Sequence, residues 1–252
     1  MSAITFQNVS KSFAEIEALR DISLEIDEGE FVALIGPSGC GKTTMLRHVI
    51  DLEKATSGEV LLKGKSPGAI RREYKIGAVF QSPALVPSNT VLENVQMTLD
   101  ITNVRSAISP QTILEDFGLG DFLNHYPHQL SGGMQQRVNI AAAMVHNPPY
   151  LMMDEPFSAL DEMTREYMCE FLGEVLISHP KTVLLVTHSI DEAVMLSDRI
   201  VVLAPRPGRV NSILNVAFER PRKRSLKTLP EFAEKVLEVR RELYGVEIEE
   251  KH

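Results

Sequence analysis

The sequence predicts an α/β protein built on a parallel β-sheet, and three observations point to that class. Short continuous apolar runs alternate with segments of helical character, and such runs are typical of strands covered on both faces. One run, residues 31–35, leads through a glycine-rich turn into a helical segment at 42–51. The chain has 252 residues, of which 44% are hydrophobic, so it is long and apolar enough to bury a large core.

The other elements follow in chain order. Short alternating segments separated by turns lie at 3–9, 22–26 and 59–63, and they predict an N-terminal antiparallel β layer beside the parallel core. Mostly helical segments joined by polar links predict a helical subdomain inserted at about 85–147. The remaining runs predict core strands at 75–80, 150–154, 182–187 and 199–203, with helices at 161–177 and 190–196.

About fifty residues follow the last predicted core strand and form a C-terminal extension, about 205–252. Apolar residues at helical spacing predict an amphipathic helix at 230–243 within it. The extension also holds the one basic cluster of the sequence, Arg220-Pro221-Arg222-Lys223-Arg224, which we expect to be a solvated surface loop. We predict that residues 1–252 form one domain that includes the inserted helices and this extension.

Composition and charge exclude several classes of protein. The formal net charge of −8 is unfavourable for a nonspecific nucleic-acid binder, so we predict no nucleic-acid partner. The apolar runs are shorter than the roughly 18 residues that a membrane-spanning helix needs. The two cysteines, Cys40 and Cys169, lie far apart in no metal or redox spacing, which favours a reducing compartment.

A phosphate-binding loop follows the predicted strand at 31–35. Its residues fit the spacing G-x-x-x-x-G-K-[ST] in the strand–turn–helix setting that this motif requires. Glycines let the backbone wrap around phosphate, Lys42 can reach the β- and γ-phosphates, and the Thr43 hydroxyl can bind Mg²⁺. The nucleotide-binding candidates of this loop are Gly36, Pro37, Ser38, Gly39, Cys40, Gly41, Lys42, Thr43 and Thr44.

Two carboxylates end the predicted strand at 150–154. Asp154 is in the strand-end position from which an aspartate holds Mg²⁺ in phosphate-loop proteins. Glu155 comes one residue later and points in a different direction, so it can orient or deprotonate a water beside the γ-phosphate. We therefore predict that Asp154 is a metal ligand and that Glu155 is the catalytic carboxylate.

A third motif, Leu130-Ser131-Gly132-Gly133-Met134-Gln135, opens a predicted helix about twenty residues before the acidic strand end. This string resembles the signature of ABC-transporter ATPase subunits, and other segments match motifs of that family in order. Gln81 resembles the Q-loop glutamine, residues 158–161 resemble the D-loop, and His188 resembles the switch histidine. Phe13 lies where the family places an aromatic side chain that stacks on adenine.

The resemblance implies a P-loop NTPase (RecA-like) core and an ATPase that works as a head-to-tail pair. Each ATP would lie between one subunit's phosphate loop and the other subunit's signature motif, where glycine amides and a hydroxyl at a helix N-terminus form a second anion site. The resemblance makes Lys42, Gln81, Glu155 and His188 catalytic and assigns Mg²⁺ to Thr43, Gln81 and Asp154. It also places Ser131, Gly132, Gly133, Gln135 and Asp161 around the nucleotide.

The segments at 154–161 and 196–209 resemble those of nitrate/sulfonate/taurine-type bacterial importers. That similarity implies an ATP- and Mg²⁺-dependent subunit on the cytoplasmic face of the cell membrane. Its expected partners are integral-membrane permease subunits, a second copy of the chain and, indirectly, a periplasmic or extracellular solute-binding protein. Three alternatives stay open at this point: an exporter-type ATPase, a non-transport ABC ATPase, and a small-molecule kinase that shares only the phosphate loop.

Overall fold

The computed structural model describes residues 2–106 and 108–245, and it confirms the predicted α/β class. The strands of this part are β1 (Ser2–Phe13), β2 (Ile16–Asp27), β3 (Phe31–Ile35), β4 (Ser57–Leu62), β5 (Ile76–Val79), β6 (Tyr150–Asp154), β7 (Thr182–Val186), β8 (Arg199–Leu203) and β9 (Val210–Asn215). The helices are α1 (Lys42–Val49), α2 (Pro67–Arg72), α3 (Val91–Thr102), α4 (Pro110–Asp116), α5 (Gly132–Met144), α6 (Glu162–Ser178), α7 (Ile190–Leu196) and α8 (Pro230–Tyr244).

The larger sheet runs in the order β5-β6-β7-β3-β8-β9. Strands β3 and β5 to β8 are parallel, while β9 runs antiparallel beside β8. Every residue of β3 and β7 is buried, which explains why their sequences are almost uninterrupted apolar runs. The carboxyl ends of β3, β6 and β7 meet at one edge of the sheet, so the loops that follow them can build a single site.

The predicted N-terminal layer is the smaller sheet, in the order β2-β1-β4. Its first two strands are longer than predicted because they continue past their alternating parts through pairing with irregular register. Its buried side chains, such as Phe6 and Leu19, belong to the same core as Met45 and Leu46 of α1. This layer therefore supports the helix that follows the phosphate loop.

Helices α3, α4 and α5 form the predicted helical region. Their buried side chains belong to a second hydrophobic core, separate from the one beneath the smaller sheet. α3 begins at a capping box, in which the Thr90 hydroxyl and the Glu93 carboxylate each accept from the other residue's backbone N–H. α5 begins after Ser131, whose hydroxyl accepts from the Met134 N–H at 3.3 Å. The signature motif therefore lies at a helix N-terminus, as predicted.

The C-terminal extension packs against the larger sheet. β9 pairs with β8, and α8 matches the predicted tail helix and buries Phe232 and Val239. Two elements were not predicted, β9 and α2, and each contains six residues. A short edge strand with one exposed face and a helix of less than two turns leave too little periodicity for detection.

The expectation that the basic cluster at 220–224 is a solvated loop was wrong for its central residue. Arg222 is only 4% exposed. Its guanidinium donates to the backbone carbonyls of Val194, Ser197, Val216 and Phe218. A guanidinium presents five N–H donors in one plane, so it can be buried where carbonyl oxygens surround it.

Candidate active site

The phosphate loop connects β3 to α1 and has the backbone shape that its glycines predict. Gly39 and Gly41 have φ angles of +76° and +98°, a region that glycine adopts without strain. A Cβ atom on Gly41 would lie 2.4 Å from Leu19 Cδ2, so the loop also packs tightly against the smaller sheet. α1 has no acidic residue in its first turn, and its N-terminal N–H groups are therefore available to an anion.

The side chain of Lys42 lies inside this loop. Its ammonium group donates to the carbonyl oxygens of Gly36 and Pro37 at 2.8 and 3.1 Å. These contacts hold a positive charge within the loop, where it can meet phosphate oxygens. Cys40 is fully buried beside Lys42, and burial raises the pKa of its thiol, so we assign it to packing rather than to chemistry.

Thr43 and Asp154 join the start of α1 to the end of β6. The Thr43 hydroxyl donates to Asp154 Oδ1 at 3.0 Å. Burial raises the pKa of Asp154, and the hydrogen bond from Thr43 opposes that shift. These oxygens are the hard ligands that Mg²⁺ takes together with phosphate and water. Within the described residues, no three or more His, Cys, Asp or Glu side chains are grouped so that they could hold a metal ion by themselves.

Glu155 directly follows β6, and its φ of +48° is in the left-handed region. For a non-glycine residue this conformation costs about 1–2 kcal/mol, and it redirects the chain after the strand. The Glu155 N–H donates to the Val186 carbonyl at 2.8 Å, which ties this turn to β7. Oε2 of Glu155 lies 3.4 Å from Nδ1 of His188, so the two predicted catalytic side chains face each other at the ends of adjacent strands.

An open cleft of about 490 Å³ lies over the phosphate loop, and this volume is in the usual range for a small-molecule site. It is lined by predicted residues from four separate parts of the chain: Phe13, Ser38, Gly39, Gly41, Lys42, Thr43, Thr44, Glu155 and His188. Phe13 is 42% exposed, so its ring is available for stacking. The cleft thus combines loop amides, a cation, a carboxylate and an aromatic ring.

Other predicted site residues lie outside this cleft. Ser131 and Gly132 are exposed at the start of α5. Gly133 is packed so closely that a Cβ atom on it would lie 2.8 Å from the Thr164 methyl group. Gln135 donates to the carbonyls of Pro127 and Leu130 at 2.9 and 3.3 Å, and it therefore braces the loop that leads into α5.

Gln81 and Asp161 also lie outside the cleft of this protomer. Gln81 is exposed in the loop that follows β5. Asp161 caps α6, because its carboxylate accepts from the N–H and the hydroxyl of Thr164 at 3.0 and 2.6 Å. Both side chains are at the surface, where they can meet a second molecule.

Three residues of the cleft were not predicted: Ile16, Ala18 and Arg206. Arg206 lies in the turn between β8 and β9, and its Nε donates to the Gly39 carbonyl at 3.4 Å. Among the residues that the structure describes, no carboxylate forms an ion pair with it. In the sequence, the run Pro205-Arg206-Pro207-Gly208-Arg209 served only as part of the resemblance at 196–209. The unpredicted β9 shows that this run is a turn that folds back onto the phosphate loop.

Gly208 fixes the position of that turn. Its N–H donates to the Ala18 carbonyl and its own carbonyl accepts from the Arg20 N–H, both at 2.9 Å. A Cβ atom on Gly208 would lie 1.9 Å from the Cys40 carbonyl oxygen, which is part of the phosphate-loop backbone. The turn, the smaller sheet and the phosphate loop are therefore in direct backbone contact.

A protein-family model described as "ABC transporter" matches residues 19–158 of the chain, which is more than half of its length. The chain belongs to the ABC transporter family. Relatives in this family align with almost the whole chain. An uncharacterized ABC transporter ATP-binding protein of Methanocaldococcus jannaschii is 45% identical and aligns with 92% of this chain and 89% of its own length.

Two further relatives of this ABC chain carry names that state a transported solute. A taurine import ATP-binding protein of Rhizobium johnstonii is 40% identical, with 92% of this chain and 91% of that protein aligned. An aliphatic sulfonates import ATP-binding protein of Bacillus cereus is 35% identical, with 93% and 94% aligned. Both names describe ATP-binding proteins for import.

A solved structure of an ABC cassette shows the same fold in a dimeric post-hydrolysis state bound to ADP and phosphate. It is 37% identical, has a TM-score of 0.72, and covers 86% of this chain and 100% of its own. This chain is accordingly an ATP-binding ATPase subunit of an ABC transporter. None of the helices in the described part of the chain combines the length and the hydropathy of a membrane-spanning segment.

Proposed function

We propose that the chain hydrolyses ATP in this cleft and thereby powers import of a small sulfonate, of the class that includes taurine, through a partner permease. The observation that carries the proposal is the meeting of Glu155 and His188, 3.4 Å apart, beside a complete phosphate loop. The solute class comes from the names of the taurine and aliphatic sulfonate relatives.

The chain's own groups bind and orient the nucleotide. Phe13 stacks on the adenine ring, and the loop amides and Lys42 hold the phosphates. Thr43 and Asp154 would hold Mg²⁺, and Gln81 would approach it from the loop after β5. When bound, Mg²⁺ neutralises charge on the β- and γ-phosphate oxygens.

Glu155 accepts a proton from the attacking water, and His188 donates a hydrogen bond toward the γ-phosphate. The left-handed backbone at Glu155 turns its carboxylate away from that of Asp154. Asp154 can therefore bind the metal while Glu155 binds the water. The contact between Glu155 and His188 keeps both side chains beside the position that the γ-phosphate of a bound ATP would occupy.

A second copy completes the site. Ser131 and Gly132 are exposed at the N-terminus of α5, and helix N-termini bind anions. In a head-to-tail pair they would close over the γ-phosphate of the other copy, together with Gly133, while Asp161 would lie at the interface. Gln135 supports this surface from inside its own protomer.

We further propose that residues 1–252 form one ABC ATPase domain with the helical subdomain at about 85–147. It would bind the permease on the cytoplasmic face of the cell membrane. A solute-binding protein outside that membrane would deliver the sulfonate.

Purification of the intact complex followed by an uptake assay tests this proposal. A tagged chain would be extracted from its native membranes in mild detergent, its partners identified, and the complex reconstituted in liposomes that contain MgATP. We expect a permease and a solute-binding protein to co-purify, and labelled taurine or an alkanesulfonate to accumulate only with ATP. Co-purification of soluble proteins alone, or of a permease complex that moves no sulfonate, would contradict it.

A further inference from the structure

A short basic segment of the C-terminal extension, residues 220–227, lies against two helices that each begin next to a predicted site residue. We call this segment the basic strap. α6 begins directly after Asp161, and α7 begins two residues after His188. Neither the sequence motifs nor the ATP chemistry described above uses the strap.

Arg222 fixes the strap to the C-terminal end of α7. Its Nη1 donates to the carbonyls of Val194 and Ser197 at 2.8 and 2.7 Å. These carbonyls belong to the last turn and the cap of the helix, where no partner is available within the helix itself. Nε and Nη2 donate to Phe218, at 3.1 and 2.7 Å, in the chain that leads into the strap. Positive charge at a helix C-terminus also interacts favourably with the helix dipole.

Lys227 joins the N-terminal turns of the two helices. Its ammonium group lies 2.5 Å from Glu166 Oε1 on α6 and 2.8 Å from Asp191 Oδ2 on α7, with Glu162 of α6 at 4.0 Å. The Lys227 side chain is only 18% exposed, so solvent screens these ion pairs less than it screens pairs on an open surface. One cation therefore bridges two helices.

A second connection runs between the same helices underneath Lys227. Arg165 of α6 donates to the Leu160 carbonyl at 2.9 Å, and its Nε lies 3.5 Å from Glu192 Oε1 on α7. Glu192 is 4% exposed and accepts from the Thr187 hydroxyl at 2.5 Å. Polar contacts therefore run without a break from the residue before Asp161 to the residue before His188.

We propose that the basic strap is a positioning element of the ATPase, which makes the segment before Asp161 and the segment that carries His188 move as one unit. In a head-to-tail pair, Asp161 is near the nucleotide of the other copy, whereas His188 is in its own cleft. A rigid link between them would couple the two nucleotide sites energetically. This inference rests on the roles proposed above for Asp161 and His188.

The test is steady-state ATP hydrolysis by the full chain with the substitution Lys227→Gln. We expect kcat to fall roughly 3- to 30-fold, with KM for ATP changed less than about twofold, because the link positions groups and does not touch the nucleotide. The Hill coefficient for ATP should also fall toward unity. Lys227→Arg keeps the charge and should restore most of the activity.

Lys223→Gln is the matched control. Lys223 is in the same strap and carries the same charge, but within the described residues it forms ion pairs with Glu170 and Glu174 of α6 alone. We expect this variant to keep the wild-type kcat and Hill coefficient. If Lys227→Gln lowers kcat no further than Lys223→Gln does, the proposal is overturned.

Asp191→Asn cuts the α7 side of the same link and serves if Lys227→Gln fails to fold. Where both variants fold, their combination should be no slower than either one, because they break a single contact. His188→Ala, assayed in parallel, separates the two proposals. If His188→Ala loses turnover while Lys227→Gln and Asp191→Asn keep it, only the positioning role of the strap is contradicted. If His188→Ala keeps its turnover, the proposed chemistry of the cleft is contradicted.

Discussion

Individual side chains around the cleft differ in how directly they can meet a nucleotide. Arg206 is exposed, borders the phosphate loop and donates to the Gly39 carbonyl. We predict that Arg206→Ala raises the Kd for ADP about 2- to 5-fold, the effect of one solvent-screened charge contact. Equilibrium titration with ADP measures this, and the difference between the two proteins should shrink as salt is added.

Arg209 provides the control for that substitution. It is an exposed arginine in the same turn. The hydrogen bond from Arg20 lowers the pKa of Glu17, and the nearby charge of Arg209 adds a smaller effect in the same direction. Arg209→Ala should leave ADP affinity unchanged. Equal losses in both variants would show that net charge, and not a contact of Arg206, determines the effect.

Residue identities in the cleft could be predicted where chemistry demands a fixed spacing. Lys42, Thr43, Asp154 and Glu155 follow from a phosphate loop and from a strand that ends in two carboxylates, and the structure brings them to one edge of the sheet. Arg206 could not be found in this way. It reaches the cleft only because β9 turns the chain back, and nothing in the local sequence encodes that contact.

At the scale of elements, the turn between β8 and β9 packs directly against the phosphate loop. Gly208→Ala would place a methyl group 1.9 Å from the Cys40 carbonyl oxygen, so backbone must move. We predict a loss of about 1–3 kcal/mol in the free energy of unfolding, together with weaker ADP binding. Chemical denaturation and ADP titration of the same protein measure both effects.

Gly173→Ala is the comparison for this prediction. Gly173 lies inside α6, and a Cβ atom there would have no neighbour within 4 Å. Alanine is the better helix former, so this variant should be more stable by up to about 1 kcal/mol and should bind ADP normally. An unchanged Gly208→Ala protein would show that the turn is not fixed by this contact.

Elements whose residues are mostly buried were easier to predict than elements whose residues are mostly exposed. β3 and β7 are fully buried and were read from their apolar runs. The strap is the opposite case, because a run of arginines and lysines is typical of solvent-exposed chain. Arg222 is nevertheless buried, because carbonyl groups at the end of α7 accept its hydrogen bonds, and Lys227 is half-buried against carboxylates of α6. These partners are distant in sequence.

At the scale of the whole molecule, two buried histidines should make stability depend on pH. Burial lowers the pKa of His48 and of His146. Both stay neutral in the folded state where they would be protonated in the unfolded chain. Their contribution to stability is therefore fully present above about pH 6.5 and is lost as the pH falls toward the lowered folded-state values.

Urea unfolding at about pH 7.5 and about pH 5.5 measures this dependence. We predict that the wild-type chain is less stable at the lower pH and that the double variant His48→Gln, His146→Gln loses less stability between the two. His128→Gln, at an exposed position, is the control and should behave as the wild type does. A double variant as pH-sensitive as the wild type would contradict the prediction.

Pairing of two copies is the property of the whole molecule on which the proposed site depends. One protomer supplies the phosphate loop, Glu155 and His188 in a cleft, while its exposed Ser131 and Gly132 lie outside that cleft. On the proposed roles of Ser131 and Gly132, a site divided in this way would be complete only when two copies meet head to tail. Bound nucleotide would then contact both copies and stabilise the pair.

The most direct test of this account is the ATP turnover of Glu155→Gln, measured together with its molar mass in the presence of ATP. We predict that turnover falls by roughly 10²–10⁴-fold, as expected for loss of a general base, while ATP still binds and holds two copies together. Turnover within about twofold of the wild type would contradict the role of Glu155. A variant that binds ATP but stays monomeric would contradict the shared site.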